Sequence, residues 1–195
     1  INLGSMYDNG KGVPQNNKTS VKWYKLAAKQ GNAFAQYNLG VMYKKGHGVP
    51  KNDKTAVKWY TLAAKQGNAS AQTNLGKMYD QGQGVPQDYK TAVKWFRLAA
   101  EQGDAYGQSN LGQMYIHGKG VPQDYKTAVK WWKLAAEQGI ATAQTNLGKM
   151  YADGTGVPQD YKTAVKWYRL SAKQGSAYGQ SNLGVMYYNG QGVLQ

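Results

Sequence analysis

A stretch of twelve residues that recurs at constant spacing constrains the fold of this chain more than any other feature. It reads GVPQDYKTAVKW at Gly84–Trp95 and returns unchanged at Gly120–Trp131 and Gly156–Trp167. Looser copies occupy Gly12–Trp23 and Gly48–Trp59, and every copy lies 36 residues from the next without an insertion. Self-similarity at such a period is typical of stacked helical hairpins, in which each unit buries its apolar face against its neighbours. We therefore expect a repeat array rather than an ordinary globular core.

The residues that flank each apolar run predict where the two helices of a unit begin and end. Asp104 is a good N-cap, so a first helix (helix A) is expected over about Ala105–His117, with Gly118 as a left-handed C-cap. Glycine and proline then turn the chain. A second helix (helix B) is expected to start after the N-cap Asp124 and to stop at Gly139. Nothing in the unit has the pattern of a strand.

The longer pattern AxAQxNLGxMYxxGxGVPxDxxxAxxWxxxAAxxG, most complete at Ala69–Gly103, resembles the Sel-one-like repeat family, relatives of the tetratricopeptide repeats. This resemblance implies an all-α, right-handed α/α superhelical solenoid of 36-residue helix-turn-helix repeats, with helix A on the concave side. It also implies protein–protein scaffolding, and it favours a secreted or periplasmic place over the cytoplasm. We expect a single array over residues 1–195, with five complete hairpins and partial units at the ends, as a piece of a longer array.

The apolar residues of helix B fill one broad arc when they are placed at about 100° per residue. In the third unit this arc runs from Leu98 through Trp95 and Phe96 to Val93. Such a wide arc suits a helix that is buried by its own hairpin and by neighbours on both flanks. We therefore interpret the recurring Trp and Tyr residues as packing between repeats, and Gly112 with its equivalents on helix A as sites of close backbone approach.

Four positions of helix A change from unit to unit, at i, i+3, i+7 and i+10, and they share one face. A face whose chemistry varies on a constant frame is typical of a modular binding surface, although drift at exposed positions would leave the same pattern. We predict that this face binds a protein or peptide, with large aromatic residues as anchors. The predicted partner-binding residues are Phe34, Tyr37, Val41, Lys44, Ser70, Thr73, Lys77, Asp80, Tyr106, Ser109, Gln113, Ile116, Thr142, Thr145, Lys149, Tyr178, Ser181, Val185 and Tyr188.

A second face, on helix B, concentrates positive charge. Of the 24 Lys and Arg residues, 17 fall on one narrow stripe of the five helices B, which we call the lysine stripe, and the formal net charge is +14. Like charges at i, i+4 repel and a lysine in the first turn opposes the helix dipole, so the stripe does not help the fold. It is either a solvated face or an anion-binding surface for nucleic acid, polysaccharide, an acidic membrane or an acidic protein. The candidate anion-binding residues are Lys90, Lys94, Arg97, Lys126, Lys130, Lys133, Lys162, Lys166 and Arg169.

Of these ligands, nucleic acid is expected to bind only weakly and without sequence preference, because the aromatic residues that would stack on bases lie on the opposite arc.

No convergent catalytic or metal site can be assembled from the sequence. The chain has two histidines and no cysteine, and its acidic residues are scattered or act as helix caps. The Gly-x-Gly of each turn has neither the preceding strand nor the third glycine of a phosphate-binding loop. Some relatives have been discussed as β-lactamase-like, but no serine here has lysine three residues later. We expect a monomeric non-enzyme without cofactor or metal, and no transmembrane segment, since no apolar run approaches about 20 residues.

Overall fold

The computed structural model describes residues 3–193, and every regular element in that range is an α-helix. The helices are α1 (Leu3–Asn9), α2 (Asn17–Lys29), α3 (Ala33–Lys45), α4 (Asp53–Lys65), α5 (Ala69–Gln81), α6 (Tyr89–Glu101), α7 (Ala105–His117), α8 (Tyr125–Glu137), α9 (Ala141–Asp153), α10 (Tyr161–Lys173) and α11 (Ala177–Tyr188). Odd-numbered helices are helix A of each repeat and even-numbered helices are helix B. The predicted all-α hairpin repeat is confirmed, and its superhelical hand stays a prediction.

The capping geometry confirms the predicted helix boundaries. The Asp104 carboxylate accepts a hydrogen bond from the amide of Gly107 at 2.6 Å, and Gly118 ends α7 in the left-handed region with φ 63°. At the start of α8, Asp124 accepts from the amide of Thr127 at 3.0 Å. Ile140 precedes α9 without a side-chain cap, as an apolar residue must.

The aspartate caps of helix B couple these helix starts to pH. Hydrogen bonds from the hydroxyl and the amide of Thr127 hold the pKa of the Asp124 carboxyl below its usual range, and Asp88 and Asp160 have the same arrangement. The pKa of each cap carboxyl is lower in the folded chain than in the unfolded chain. The stabilisation that the cap gives the folded state is therefore complete above the unfolded-state pKa. It is lost as the pH falls through the folded pKa.

Two compact units, Ile1–Ala99 and Ala100–Gln195, divide the chain within α6. In the first unit, consecutive helices from α1 to α5 pack against each other, and in the second unit the helices from α7 to α11 do the same. One buried cluster of the first unit contains Tyr60, Leu75 and Met78, and one cluster of the second is built around Trp132 and Leu147. Each unit is a run of helical hairpins with its own core, and the single array stays a prediction.

One aromatic ring of each helix B lies directly on a glycine of helix A in the same hairpin. These rings belong to Tyr24, Tyr60, Phe96, Trp132 and Tyr168, and they face Gly4, Gly40, Gly76, Gly112 and Gly148. A Cβ added at Gly76 would lie 2.6 Å from Cδ1 of Phe96, well inside the contact distance of two carbon atoms. A tight contact is present at these glycines, but the approaching group is an aromatic ring, so the prediction of close backbone approach is corrected.

The burial predicted from a helical wheel is less accurate for the residues of helix B on either side of this ring. Trp95 packs against the buried cluster of α4 and α5, which confirms packing between repeats, although the side chain is only half-buried. Leu98 was expected in the buried arc but is 44% exposed, so that prediction is wrong. Leu98 stands at the edge of the arc beside the lysine stripe, and the helices that cover the arc leave this edge open.

The second glycine of the A–B turn packs against the preceding helix B. At Gly156 the φ angle is 72°, which residues with a side chain rarely adopt. A Cβ there would also lie 2.8 Å from the carbonyl of Tyr125, the first residue of α8. The second glycine of the Gly-x-Gly motif therefore lets the turn pack closely against the preceding repeat.

A buried glutamine of helix A joins each hairpin to the preceding helix B. The side-chain amide of Gln144 donates to the carbonyl of Ala136 at 3.1 Å, and its oxygen accepts from Gln174 at 2.9 Å. Gln36 and Gln108 make the same pair of bonds in their repeats. Because these bonds connect three successive helices, they contribute to the register between repeats.

Gln144→Leu is expected to lower the free energy of unfolding by about 1–3 kcal/mol, because it leaves the Ala136 carbonyl and the Gln174 amide without this partner. The matched control is Gln180→Leu, since Gln180 occupies the same repeat position but is exposed and makes a longer bond of 3.4 Å to Ala172. Urea unfolding followed by circular dichroism measures both. Equal effects of the two changes would contradict a structural role for the buried bonds.

Candidate functional site

In the first unit, part of the predicted helix-A face is covered by neighbouring helices. The Phe34 ring is 47% exposed. Tyr37 and Val41 are half-buried against the cluster of α4 and α5, and the Tyr37 ring lies 6.1 Å from the Tyr60 ring. Phe34 is therefore the more open of the two aromatic anchors predicted in α3.

Lys44, the last predicted partner-binding residue of α3, contacts residues of two other segments. Its ammonium group lies 3.4 Å from a carboxylate oxygen of Asp53 and donates a hydrogen bond to the side-chain oxygen of Gln83. Lys44 thus links α3 to the turn of the next repeat and to the start of α4. A partner would have to displace these contacts to reach it.

The predicted partner-binding residues of α5 are also only partly exposed to solvent. Ser70 is exposed, Lys77 and Asp80 are half-buried, and Thr73 is buried. The structure corrects the assignment of Thr73 to the open face, because this residue is only 4% exposed. Thr73 is not part of the surface proposed below.

The second unit presents a more open face. Tyr106 is 58% exposed and Gln113 is exposed, whereas Ser109 and Ile116 are half-buried. On α9 and α11 the exposed predicted residues are Thr142, Lys149, Tyr178, Ser181, Val185 and Tyr188, and Thr145 is half-buried. Most of the predicted residues that a partner can touch directly therefore lie in the second unit.

A cavity of about 940 Å³ lies on this face of the second unit, between α7, α9, α10 and α11. Six of the predicted residues line it, namely Gln113, Thr142, Thr145, Lys149, Tyr178 and Val185. We call this cavity the helix-A groove. The residues that differ between repeats thus converge on one concave site in the second unit.

The chemistry of the groove is mixed. Lys149 and Asp153 place opposite charges one helical turn apart on its wall. Burial, followed by the nearby charge of Asp153, raises the pKa of Tyr168 to about 12, so its phenol stays protonated at physiological pH. Tyr178, which is 79% exposed, adds a large apolar ring at the side of the groove. Such a surface can hydrogen-bond amides and carboxylates and can also bury an apolar side chain.

Asn146 and Asn182 also line the groove, although they are not among the residues predicted from the sequence. Their asparagine was assigned to the constant frame of the repeat because it recurs every 36 residues. They could have been identified as polar residues that recur on helix A at positions outside the apolar core. In Asn38 and Asn110, at the same repeat position, the side-chain amide donates to the carbonyl four residues earlier.

The lysine stripe lies on the surface of both units. All nine candidate anion-binding residues are exposed. In the first repeat, Lys25 is half-buried with its ammonium group 5.7 Å from the centre of the Tyr43 ring. The stripe and the helix-A groove are carried by different helices of the repeat, so they are separate candidate surfaces.

Among residues 3–193 no group of His, Cys, Asp and Glu side chains has the arrangement of a metal site. In the same range no helix is both long and apolar enough to cross a membrane.

A sequence profile described as the Sel1 repeat matches the whole chain as successive copies. The matched residues are 1–32, 33–68, 69–104, 105–140, 141–176 and 177–195. No protein with a curated description matches the chain significantly.

Several solved structures are similar to this chain. The protective antigen c5321 from uropathogenic Escherichia coli, which displays an SLR fold, is 44% identical over 99% of the chain with a TM-score of 0.93. The chain spans 41% of the length of that antigen. A Sel1 repeat protein from Oxalobacter formigenes is 40% identical with a TM-score of 0.91, covering 99% of this chain and 77% of its own. Immunity protein Pa5087 from Pseudomonas aeruginosa, 20% identical with a TM-score of 0.58 over 92% of this chain and 69% of its own, is similar in fold alone.

Proposed function

The chain belongs to the Sel1 repeat family, and on that premise we propose that it is a non-catalytic interaction module that holds a protein or peptide in the helix-A groove. Members of this family are commonly protein-interaction scaffolds and generally not enzymes. The observation that carries the proposal is the convergence of six repeat-variable residues on one cavity of about 940 Å³. Variable residues that meet in a concave site, on a frame that does not vary, support recognition of a specific ligand.

The groove has the mixture of groups that binds a polypeptide segment. Asn146, Asn182 and Thr142 offer both donors and acceptors, which suit the alternating amide and carbonyl groups of an extended chain. Tyr178 offers a rigid ring that buries a large area at little entropic cost, as binding hot spots usually do. Lys149 and Asp153 add charges that select side chains of the ligand.

Tyr178→Ala is expected to weaken partner binding by about 1 kcal/mol or more, the level at which a residue counts as important in an interface. The same loss is expected for Tyr106→Ala on α7, the helix A two repeats before α11. Both rings are largely exposed, so the fold is expected to stay intact. Affinity capture with the chain, followed by identification of the captured protein and calorimetry with the purified partner, measures the effect.

The matched control is Tyr125→Ala, which removes an exposed tyrosine from helix B instead of helix A. Lys94→Gln removes a charge from the lysine stripe. Both controls are expected to leave partner affinity nearly unchanged. Loss of binding in the controls together with a silent Tyr178→Ala would place the site on helix B and refute the proposal.

A further inference from the structure

Each helix B leaves a leucine partly exposed at the same position of the repeat. The five leucines are Leu26, Leu62, Leu98, Leu134 and Leu170, and their exposed fractions lie between 37% and 53%. Single exposed leucines are ordinary in soluble proteins. Five at the same repeat position, each beside the lysine stripe, form a recurring feature of the helix-B surface.

The leucine and the cations meet in one place in the second unit. Leu170 lines a depression of about 430 Å³ together with Lys162, Lys166, Arg169 and Lys173, and none of the lining residues is acidic. The guanidinium of Arg169 donates to the hydroxyl of Tyr187 at 3.0 Å, which orients it at the edge of the depression. Apolar and cationic groups therefore share one concave surface.

We propose that in the second unit the lysine stripe and its leucines, Leu134 and Leu170, form a docking surface for a membrane that carries anionic phospholipids. Cationic side chains near such a membrane are attracted by its negative surface potential, and leucines that stand among them enter the boundary between headgroups and acyl chains. Long lysine side chains lie along apolar surface while their ammonium groups stay at the phosphates. The proposed association is peripheral, since the groups that make it are exposed side chains on the surface of helix B.

Three positions of the surface are uniform and favour a membrane over an acidic protein, whereas the last stripe position changes and is Glu101 or Glu137 in two repeats. At the positions of Lys90, Lys94 and Leu98 all five helices B have the same residue type. The helix-A positions, in contrast, differ from repeat to repeat. A protein partner has a non-repeating surface, whereas a fluid bilayer presents the same headgroups at every point.

The exposed leucines also favour a membrane over nucleic acid. Nucleic acid is bound without sequence preference by cations together with aromatic rings that stack on bases. In α8 and α10 the rings of Trp132, Trp167 and Tyr168 are buried and cannot stack on bases, whereas Tyr125 and Tyr187 are exposed near the stripe. Leucine side chains add nothing to the binding of a phosphate backbone, whereas they strengthen binding to a bilayer by entering its apolar boundary.

The test is co-flotation of the purified full chain with vesicles at about 0.15 M salt, where exposed charges more than a few ångströms apart are partly screened. Binding is expected to vesicles of phosphatidylcholine that contain phosphatidylglycerol, and to be lost with phosphatidylcholine alone. Absence of binding to the phosphatidylglycerol vesicles would overturn the proposal. The interaction module proposed above would be unaffected by that result, because it depends on the helix-A groove.

A charge variant and a matched control then distinguish binding through the lysine stripe from binding through the overall positive charge of the chain. Replacing Lys126, Lys130, Lys162 and Lys166 by glutamine is expected to weaken vesicle binding by about tenfold or more. The control replaces four exposed lysines outside the stripe by glutamine, at Lys11, Lys45, Lys51 and Lys149, and removes the same net charge. The control is expected to retain most of the binding, and an equal loss in both variants would overturn the assignment to helix B.

A leucine variant distinguishes a membrane from a soluble polyanion. Leu134→Gln with Leu170→Gln is expected to weaken vesicle binding several-fold while affinity for heparin stays unchanged. Both side chains are partly exposed, and circular dichroism verifies that the helices remain. If vesicle binding is indifferent to the leucines, the surface is a polyanion site and the membrane proposal is wrong.

Discussion

Phe96→Ala is expected to lower the free energy of unfolding by about 3–5 kcal/mol, the usual cost of removing a large buried aromatic side chain. The ring is only 1% exposed and lies against Gly76 of the same hairpin, which has no side chain of its own to fill the space that the ring leaves. In a repeat array such damage uncouples one hairpin from its neighbours before the rest unfolds. Urea unfolding by circular dichroism measures the loss, and amide hydrogen exchange in α5 and α6 locates it.

Leu98→Ala, two residues further along the same helix, is the matched control. Its side chain is 44% exposed, so the expected cost is below about 1 kcal/mol. A simple helical wheel predicts a substantial cost for both residues, whereas the structure predicts a large difference between them. Comparable losses in the two variants would show that α6 is rotated from the orientation described here.

Gly112→Ala is expected to destabilise the chain by about 1–3 kcal/mol, although alanine is ordinarily the better helix former. The new methyl group would lie 2.6 Å from Cδ1 of Trp132. The indole cannot move away freely, since its N–H donates to the carbonyl of Ser109 at 3.1 Å. Thermal unfolding by calorimetry is expected to show the lower melting temperature.

Gly184→Ala offers a control at the same repeat position. A Cβ there meets no atom within 4 Å among the described residues, so the change is expected to be neutral or to stabilise α11 by up to about 1 kcal/mol. A second control is the double variant Gly112→Ala with Trp132→Ala. With the ring absent, the added methyl group is expected to cost nothing further, and the two changes are therefore non-additive. Destabilisation of similar size by Gly112→Ala and Gly184→Ala would contradict a steric cause.

The residue patterns were sufficient to predict the helices, since the determinants of a helix end are local. An N-cap such as Asp104 and a left-handed glycine such as Gly118 act through atoms within a few residues of themselves. The helix ends can therefore be predicted from the sequence. Each end signal also occurs several times, because the unit repeats. The class of the fold followed because a hairpin of 36 residues cannot bury its apolar face alone.

The sequence also identified helix A as the face with variable chemistry, but not the place where that chemistry becomes a cavity. Thr73 and Thr145 occupy equivalent positions, yet Thr73 is buried and Thr145 lines the groove. The difference depends on the side chains that neighbouring helices supply. No spacing within one repeat contains that information.

Periodicity alone determined that helix B is apolar over a wide arc, and only tertiary packing decided which residues of the arc lie inside. Phe96 is buried because Gly76 of the facing helix leaves room for its ring. Leu98 remains exposed at the edge of the same arc. A helical wheel gives the direction of each side chain to within about a quarter turn. The atoms that cover a side chain come from other helices, so burial is decided by their distance and shape rather than by the spacing of residues along the chain.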